Sequence, residues 1–127
     1  MLSVTDLQDC SLLGVAHACK RESQCYLQGL PNDPRYCYEL FRRAVVERNQ
    51  EAWELLYIQY LPLMLGWIKK HRNPDTDGEE TVYFVNAAFG KFALAVNAEK
   101  FSSFPNLSSV LGYLQMCAKS VMIDHRR

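Results

Sequence analysis

Between Val82 and Val96 the apolar residues Val82, Val85, Phe89, Phe92 and Val96 step by three, four, three and four, the period of a helix with one buried face. No stretch alternates with the period of two that a half-buried strand requires, so a sheet has little sequence from which to form. The expected fold class is therefore all-α. At 127 residues the chain is one ordinary domain long, which leaves no room for a two-domain enzyme.

The same period divides the rest of the chain. Residues 5–27 read as a first helix, with Thr5 as N-cap, Gln8 at its capping-box position and Gly29 as a stop. Asp33 followed by Pro34 reads as an N-cap with proline at the first helical position. The second helix that this starts carries Cys37, Leu40, Phe41, Ala44 and Val45 on one side and ends near Asn49. Asn49 can cap a third helix with the stripe Trp53, Leu56, Tyr60, Met64 and Trp67, which runs out into Lys69, Lys70, His71 and Arg72, where cations favour the helix dipole. Pro62 lies inside it and predicts a kink. The polar turn 73–78 precedes the helix 79–96, whose start is crowded by Asp75, Asp77, Glu79 and Glu80, as the dipole favours. After a loop from Asn97 to Leu107, Ser108 can cap a last helix buried through Val110, Leu111, Leu114, Ala118, Val121 and Met122. The expected architecture is a single bundle of about five helices with short connections.

Several chemistries are excluded or disfavoured. Fourteen Lys plus Arg balance fourteen Asp plus Glu, so no net charge advertises a polyanion or an anionic membrane. The apolar stretch Leu55 to Ile68 is interrupted by Gln59, Pro62 and Gly66, which argues against a membrane span. The start of the chain has Asp6 and Asp9 but no early Lys or Arg, unlike a secretory leader. Cys10, Cys19, Cys25, Cys37 and Cys117 are odd in number and scattered, which predicts free thiols and a cytoplasmic protein. Asn73, Asp75, Asp77 and Gly78 imitate part of a calcium loop, but Phe84 stands where a bidentate Glu is needed. Cys10, His17, Cys19 and Cys25 lack the paired spacing of a zinc site. His17, His71 and His125 sit in no catalytic motif, and Gly66, Gly78, Gly90 and Gly112 form no phosphate-cradling loop. The expectation is a protein without enzymatic activity, metal or cofactor.

One region concentrates binding chemistry: Lys100, Phe101, Phe104 and Asn106, then Tyr113, Gln115, Lys119, Arg126 and Arg127. Rings stack on unpaired bases, amides read base edges and cations hold phosphates, a mixture suited to single-stranded nucleic acid. The competing account is that Phe101 and Phe104 plug the end of the bundle and the cations form a solvated face.

Three stretches, in order, carry a family resemblance. They are Ala52-Trp53-Glu54-Leu55-Leu56-Tyr57 with Tyr60-Leu61-Pro62-Leu63; Val85-Asn86-Ala87-Ala88-Phe89-Gly90-Lys91-Phe92; and Tyr113-Leu114-Gln115-Met116-Cys117-Ala118-Lys119-Ser120 with Asp124. From about Tyr38 to Arg127 the chain resembles region 2 of the sigma-70 family of bacterial RNA polymerase sigma factors, most like the extracytoplasmic-function type. The resemblance implies a helical extension and linker over residues 1–35 and a region 2-like domain over 36–127. It implies that the helix Val82 to Val96 docks on the clamp of the core RNA polymerase largest subunit through Tyr83, Asn86, Ala87, Gly90, Lys91 and Leu94. It further implies that Lys100 to Ser108, with Tyr113, Gln115, Lys119 and Ser120, lie where the family captures the non-template single strand of promoter DNA at the minus-ten element. An anti-sigma regulator is a partner the resemblance allows, and residues 1–35 are where it could dock.

The chain departs from the family in three places. Val82-Tyr83 stands where many members have an acidic pair, and Ala93 replaces a common Trp. Beyond the position of Arg127 the family continues into a helix-turn-helix domain. The first two departures fall on the polymerase-docking helix, and the missing acidic pair together with the zero net charge supports an alternative: a helical interaction adapter that keeps the fold and does not bind DNA. The two readings make opposite demands on the loop. Strand capture needs Phe101, Lys100, Gln115 and Lys119 on one open face, whereas the adapter needs Phe101 and Phe104 buried.

Overall fold

The computed structural model describes residues 7–71 and 78–126, without the side chains of residues 71, 78–80, 125 and 126. They form six helices: α1 Leu12–Leu27, α2 Arg35–Val45, α3 Gln50–His71, α4 Gly78–Ala95, α5 Ala98–Ser102 and α6 Leu107–Arg126. No strand occurs among the described residues, so the all-α expectation holds. The sixth element is the short α5, inside the segment expected to be loop. It forms because Asn97 Oδ1 accepts the Lys100 amide at 2.8 Å and supplies a cap.

Local chemistry sets the helix ends. The helix α1 begins later than expected: Ser11 is its N-cap, with Oγ accepting the Gly14 amide at 3.0 Å. Thr5 lies outside the described residues. At its other end Gly29 takes φ 73°, Leu30 N–H reaches Cys25 C=O at 2.9 Å and Gly29 N–H reaches Tyr26 C=O at 3.1 Å. Those two bonds satisfy carbonyls that the helix end would leave open, and glycine supplies the left-handed turn without a Cβ clash. The N-cap of α2 is Pro34, one residue later than expected, and the Asp33 carboxylate just before it accepts the Arg35 amide at 3.0 Å. The Asp33 amide donates to Glu22 at 2.7 Å and ties the turn back to α1. Asn49 Oδ1 accepts the Ala52 amide at 3.1 Å and starts α3. The helix then runs through Pro62, which lies on its exposed side.

One core serves the whole bundle. It contains Val15 and Cys19 from α1, Leu40, Phe41 and Ala44 from α2, Leu56 and Met64 from α3, Phe84, Val85, Ala88 and Phe92 from α4, and Val110 and Leu114 from α6. Burying each of the larger side chains contributes about 1.5–3 kcal/mol relative to leaving it in water. The expected α4 face is rotated slightly: Val82 is exposed, while Phe84, which the three-and-four pattern omitted, is buried. Of the first 35 residues, the described part shares this core with the remainder.

The cysteine expectation is overturned. Cys19 and Cys37 form a disulfide that joins α1 to α2 inside the core. The sequence pattern failed to show it because the partners lie on different helices and meet only through packing. No helix among the described residues is long and apolar enough to cross a membrane.

Candidate functional surface on α4 and α6

The residues assigned to docking occupy the outer side of α4. Tyr83, Asn86, Gly90, Lys91 and Leu94 are exposed and Ala87 is half-buried. Leu94 is 92% exposed and Tyr83 62%, which makes them the main apolar groups this helix offers to solvent. Successive residues turn by about 100°, so Tyr83, Ala87, Gly90 and Leu94 form the centre of the face. Asn86 and Lys91 flank it, and both are already engaged. Asn86 accepts a 2.7 Å hydrogen bond from the Tyr57 hydroxyl of α3. Lys91 Nζ bonds Ser120 Oγ and lies 3.3 Å from the Asp124 carboxylate, both on α6. The two flanking residues therefore fasten α4 to its neighbours, and the apolar centre is what remains available.

The residues assigned to DNA do not form one open face. Phe101 and Phe104 are 3% and 8% exposed, so their rings cannot stack on bases. They close the end of the bundle: Tyr38 stacks on Phe101 at 5.0 Å between centroids, Phe104 meets Tyr113 at 5.5 Å, and the Tyr38 hydroxyl donates to the Phe104 carbonyl at 2.8 Å. Burial pushes the Tyr38 hydroxyl pKa up. Asn106 differs, being exposed, but it has a local use. Its Oδ1 accepts the Ser109 amide at 3.0 Å and the Ser109 hydroxyl at 3.1 Å, so it caps α6 in place of Ser108.

The polar members that remain lie on two edges of α6. Lys100 is exposed and places Nζ 5.3 Å from the Tyr113 ring centroid and 5.8 Å from that of Phe104, within cation–π range. Tyr113 and Ser120 are half-buried on the edge toward α4. Gln115 and Lys119, both exposed, lie on the edge toward α3, beside Trp67 and Ile68. Tyr113 and Gln115 are about 200° apart around the helix, which is why adjacency in sequence did not become adjacency in space. Exposed Gly112 and Met116 separate the two edges. The side chain of Arg126, and Arg127 as a whole, lie outside the described residues.

Neither edge resembles a reaction centre. No group of three or more His, Cys, Asp or Glu side chains able to hold a metal occurs among the described residues. Cys19 is consumed by the disulfide, which removes it from the imagined zinc set. The Cys117 thiol is buried and its pKa is pushed up by desolvation, which favours the unreactive protonated form.

Sequence reasoning passed over one feature, an open depression between α3 and α4 lined by Gln50, Trp53, Glu54, Tyr57, Ile58 and Phe89. The signal was present: the five α3 residues fall at i, i+3, i+4, i+7 and i+8, one helical stripe of mixed aromatic, aliphatic and polar residues that shares Trp53 with the core stripe. No protein-family model, curated protein or solved structure matches the chain.

Proposed function

We propose that the chain is a non-enzymatic transcription initiation module, docking on the core RNA polymerase clamp through the outer face of α4 and contacting the melted promoter strand through α6. The carrying observation is the exposed apolar centre of α4. Leu94 at 92% and Tyr83 at 62% exposure, with Gly90 between them, form a strip on which another helix could pack closely. Two large apolar side chains spaced along one helix face, with small residues between them, suit a partner helix laid along that face. The resemblance of the three sequence stretches supplies the partner.

Strand contact takes a different form from the one the aromatic loop suggested. A single strand crossing the outer side of α6, over Gly112 and Met116, would reach Lys100 and Tyr113 on one edge and Gln115 and Lys119 on the other. Cations would hold phosphates, and the half-open Tyr113 ring would be the stacking group.

The adapter reading keeps a specific observation in its favour, the burial of both Phe101 and Phe104. A pull-down of purified bacterial core polymerase separates the two readings. The initiation reading expects capture, and loss of capture in Leu94→Glu, whose near-complete exposure leaves the fold intact. Capture should be followed by salt-dependent binding of a minus-ten single strand that weakens in Lys119→Ala. No capture by a domain shown folded by circular dichroism would sink the initiation reading and leave the adapter.

A further inference from the structure

We propose that the depression between α3 and α4 is a receptor for an arginine side chain carried by a protein partner. Its walls are the rings of Trp53, Tyr57 and Phe89; Ile58, 68% exposed, forms an apolar shelf; and Gln50 and Glu54 form the polar rim. The rings are held in place. Tyr57 stacks on Phe89 at 5.3 Å and its hydroxyl is fixed by Asn86, while Trp53 meets the edge of Phe92 at 6.1 Å. The rim acid is unused, since Glu54 has no ion-pair or hydrogen-bond partner among the described residues, and none of the described Lys or Arg residues lines the depression.

Aromatic faces beside an unpaired carboxylate select a cation. The shape then selects which one. The depression is open, without the enclosing walls of a cage that would close around a lone ammonium head. A guanidinium is planar and weakly hydrated, lies flat on a ring and donates several hydrogen bonds at once. It can therefore stack on Trp53 or Tyr57 and donate to the Glu54 carboxylate and the Gln50 amide oxygen, while its aliphatic stem covers Ile58. The Tyr57 to Asn86 bond makes this depression the neighbour of the outer face of α4, so a helix lying on Tyr83 and Leu94 could extend an arginine into it. The identity of the partner rests on the docking reading; the chemistry of the depression does not.

The test uses the whole chain and arginine amide as the probe, followed by the indole N–H resonances of the two tryptophans in NMR, with Trp53→Phe assigning which is which. The expected result is a saturable shift of the Trp53 resonance in the millimolar range. In Glu54→Gln the affinity should fall about threefold to tenfold, as one charge-assisted hydrogen bond is lost. N-acetyl-leucinamide should produce no comparable shift. The proposal is overturned if arginine amide gives no saturable shift, if the leucine probe binds equally well, or if Glu54→Gln binds arginine amide as tightly as the parent. Polymerase capture is read in a separate experiment, so failure of docking with arginine amide bound would discard the docking reading and retain the receptor.

Discussion

Two regions of the bundle are held by different kinds of interaction. Where α1 meets α2, fastening is dense and buried. The Cys19–Cys37 disulfide crosses the contact, and Arg43, 6% exposed, donates to the Glu39 carboxylate at 2.7 Å and to the carbonyls of Leu7, Gln8 and Cys10 at 2.9, 3.3 and 2.8 Å. One guanidinium thereby anchors the chain that leads into α1. On the outer face of α4 and α6 the ties are polar and exposed, such as Lys91 to Asp124 at 3.3 Å, and Leu94 faces water. Such exposed pairs contribute little to stability. The first region therefore adds buried ties to the shared core, and the second offers the surface on which the proposed partner would rest. Substitutions in the two should therefore separate stability from binding.

The largest stability effect is expected at Arg43. Arg43→Ala leaves the buried Glu39 carboxylate with one fewer cation and three carbonyls without this donor, and breaking a buried pair costs about 3–5 kcal/mol. Urea unfolding followed by circular dichroism measures it, and a loss below about 1 kcal/mol would show that the network behaves like a surface pair. Next comes the disulfide, whose partners are 18 residues apart in sequence. Closing a loop of that size is worth about 3 kcal/mol. The double substitution Cys19→Ala with Cys37→Ala should lower the urea midpoint accordingly, and dithiothreitol should lower the parent's midpoint toward that of the double variant without affecting the variant itself. A midpoint that reductant leaves unchanged, in a chain shown to be reduced, would show that the disulfide adds nothing to the stability of the α1–α2 contact.

The acid limb of stability follows from the same region. Burial alone would raise the Glu39 carboxyl pKa, but hydrogen bonds from Arg42 and Arg43 outweigh it and hold the group below its ordinary value. The Arg35 guanidinium does the same to Asp33. A carboxyl whose folded pKa is depressed contributes fully above its unfolded value, about 4, and loses that contribution as pH falls through the folded value. The urea midpoint should therefore be flat near neutrality and drop below about pH 4. In Glu39→Gln the drop should be smaller, because the ionised group responsible for part of it is already gone at neutral pH. An undiminished drop in that variant would assign the acid sensitivity to other carboxylates.

How far these features were legible in the sequence depends on how local they are. The start of α2 beside Asp33, capping by Asn49, the stop at Gly29 and the helical period are set within a few residues, and they could be read directly. Asn106 shows the limit: a side-chain amide before a helix suits either a cap or a base contact, and only the position where α6 starts decides. Phe101 and Phe104 pose the same problem at longer range, since their burial depends on Tyr38, more than sixty residues earlier in the chain. The disulfide, the Arg43 network and the α3–α4 depression each need two or more elements to be placed. No periodicity in one of them reveals the other. The outer face of α4 was legible because a helix with a known core face has its opposite face fixed by geometry.

Leu94→Glu gives the smallest expected change in stability and the sharpest separation of the two regions. At 92% exposure the side chain has almost no packing to lose, and surface substitutions of this kind stay within about 0.5 kcal/mol. A helix packed on the strip formed by Tyr83, Gly90 and Leu94 would, however, have to bury the new carboxylate, and an unpaired buried charge is strongly unfavourable. Unchanged urea unfolding together with lost polymerase capture is therefore the expected result. Lys91→Ala is the matched control, because it removes the exposed tie to Asp124 and leaves the apolar strip in place, so capture should persist. If Lys91→Ala abolishes capture while Leu94→Glu does not, the contact surface lies on the seam between α4 and α6, and the apolar centre of α4 is not what a partner reads.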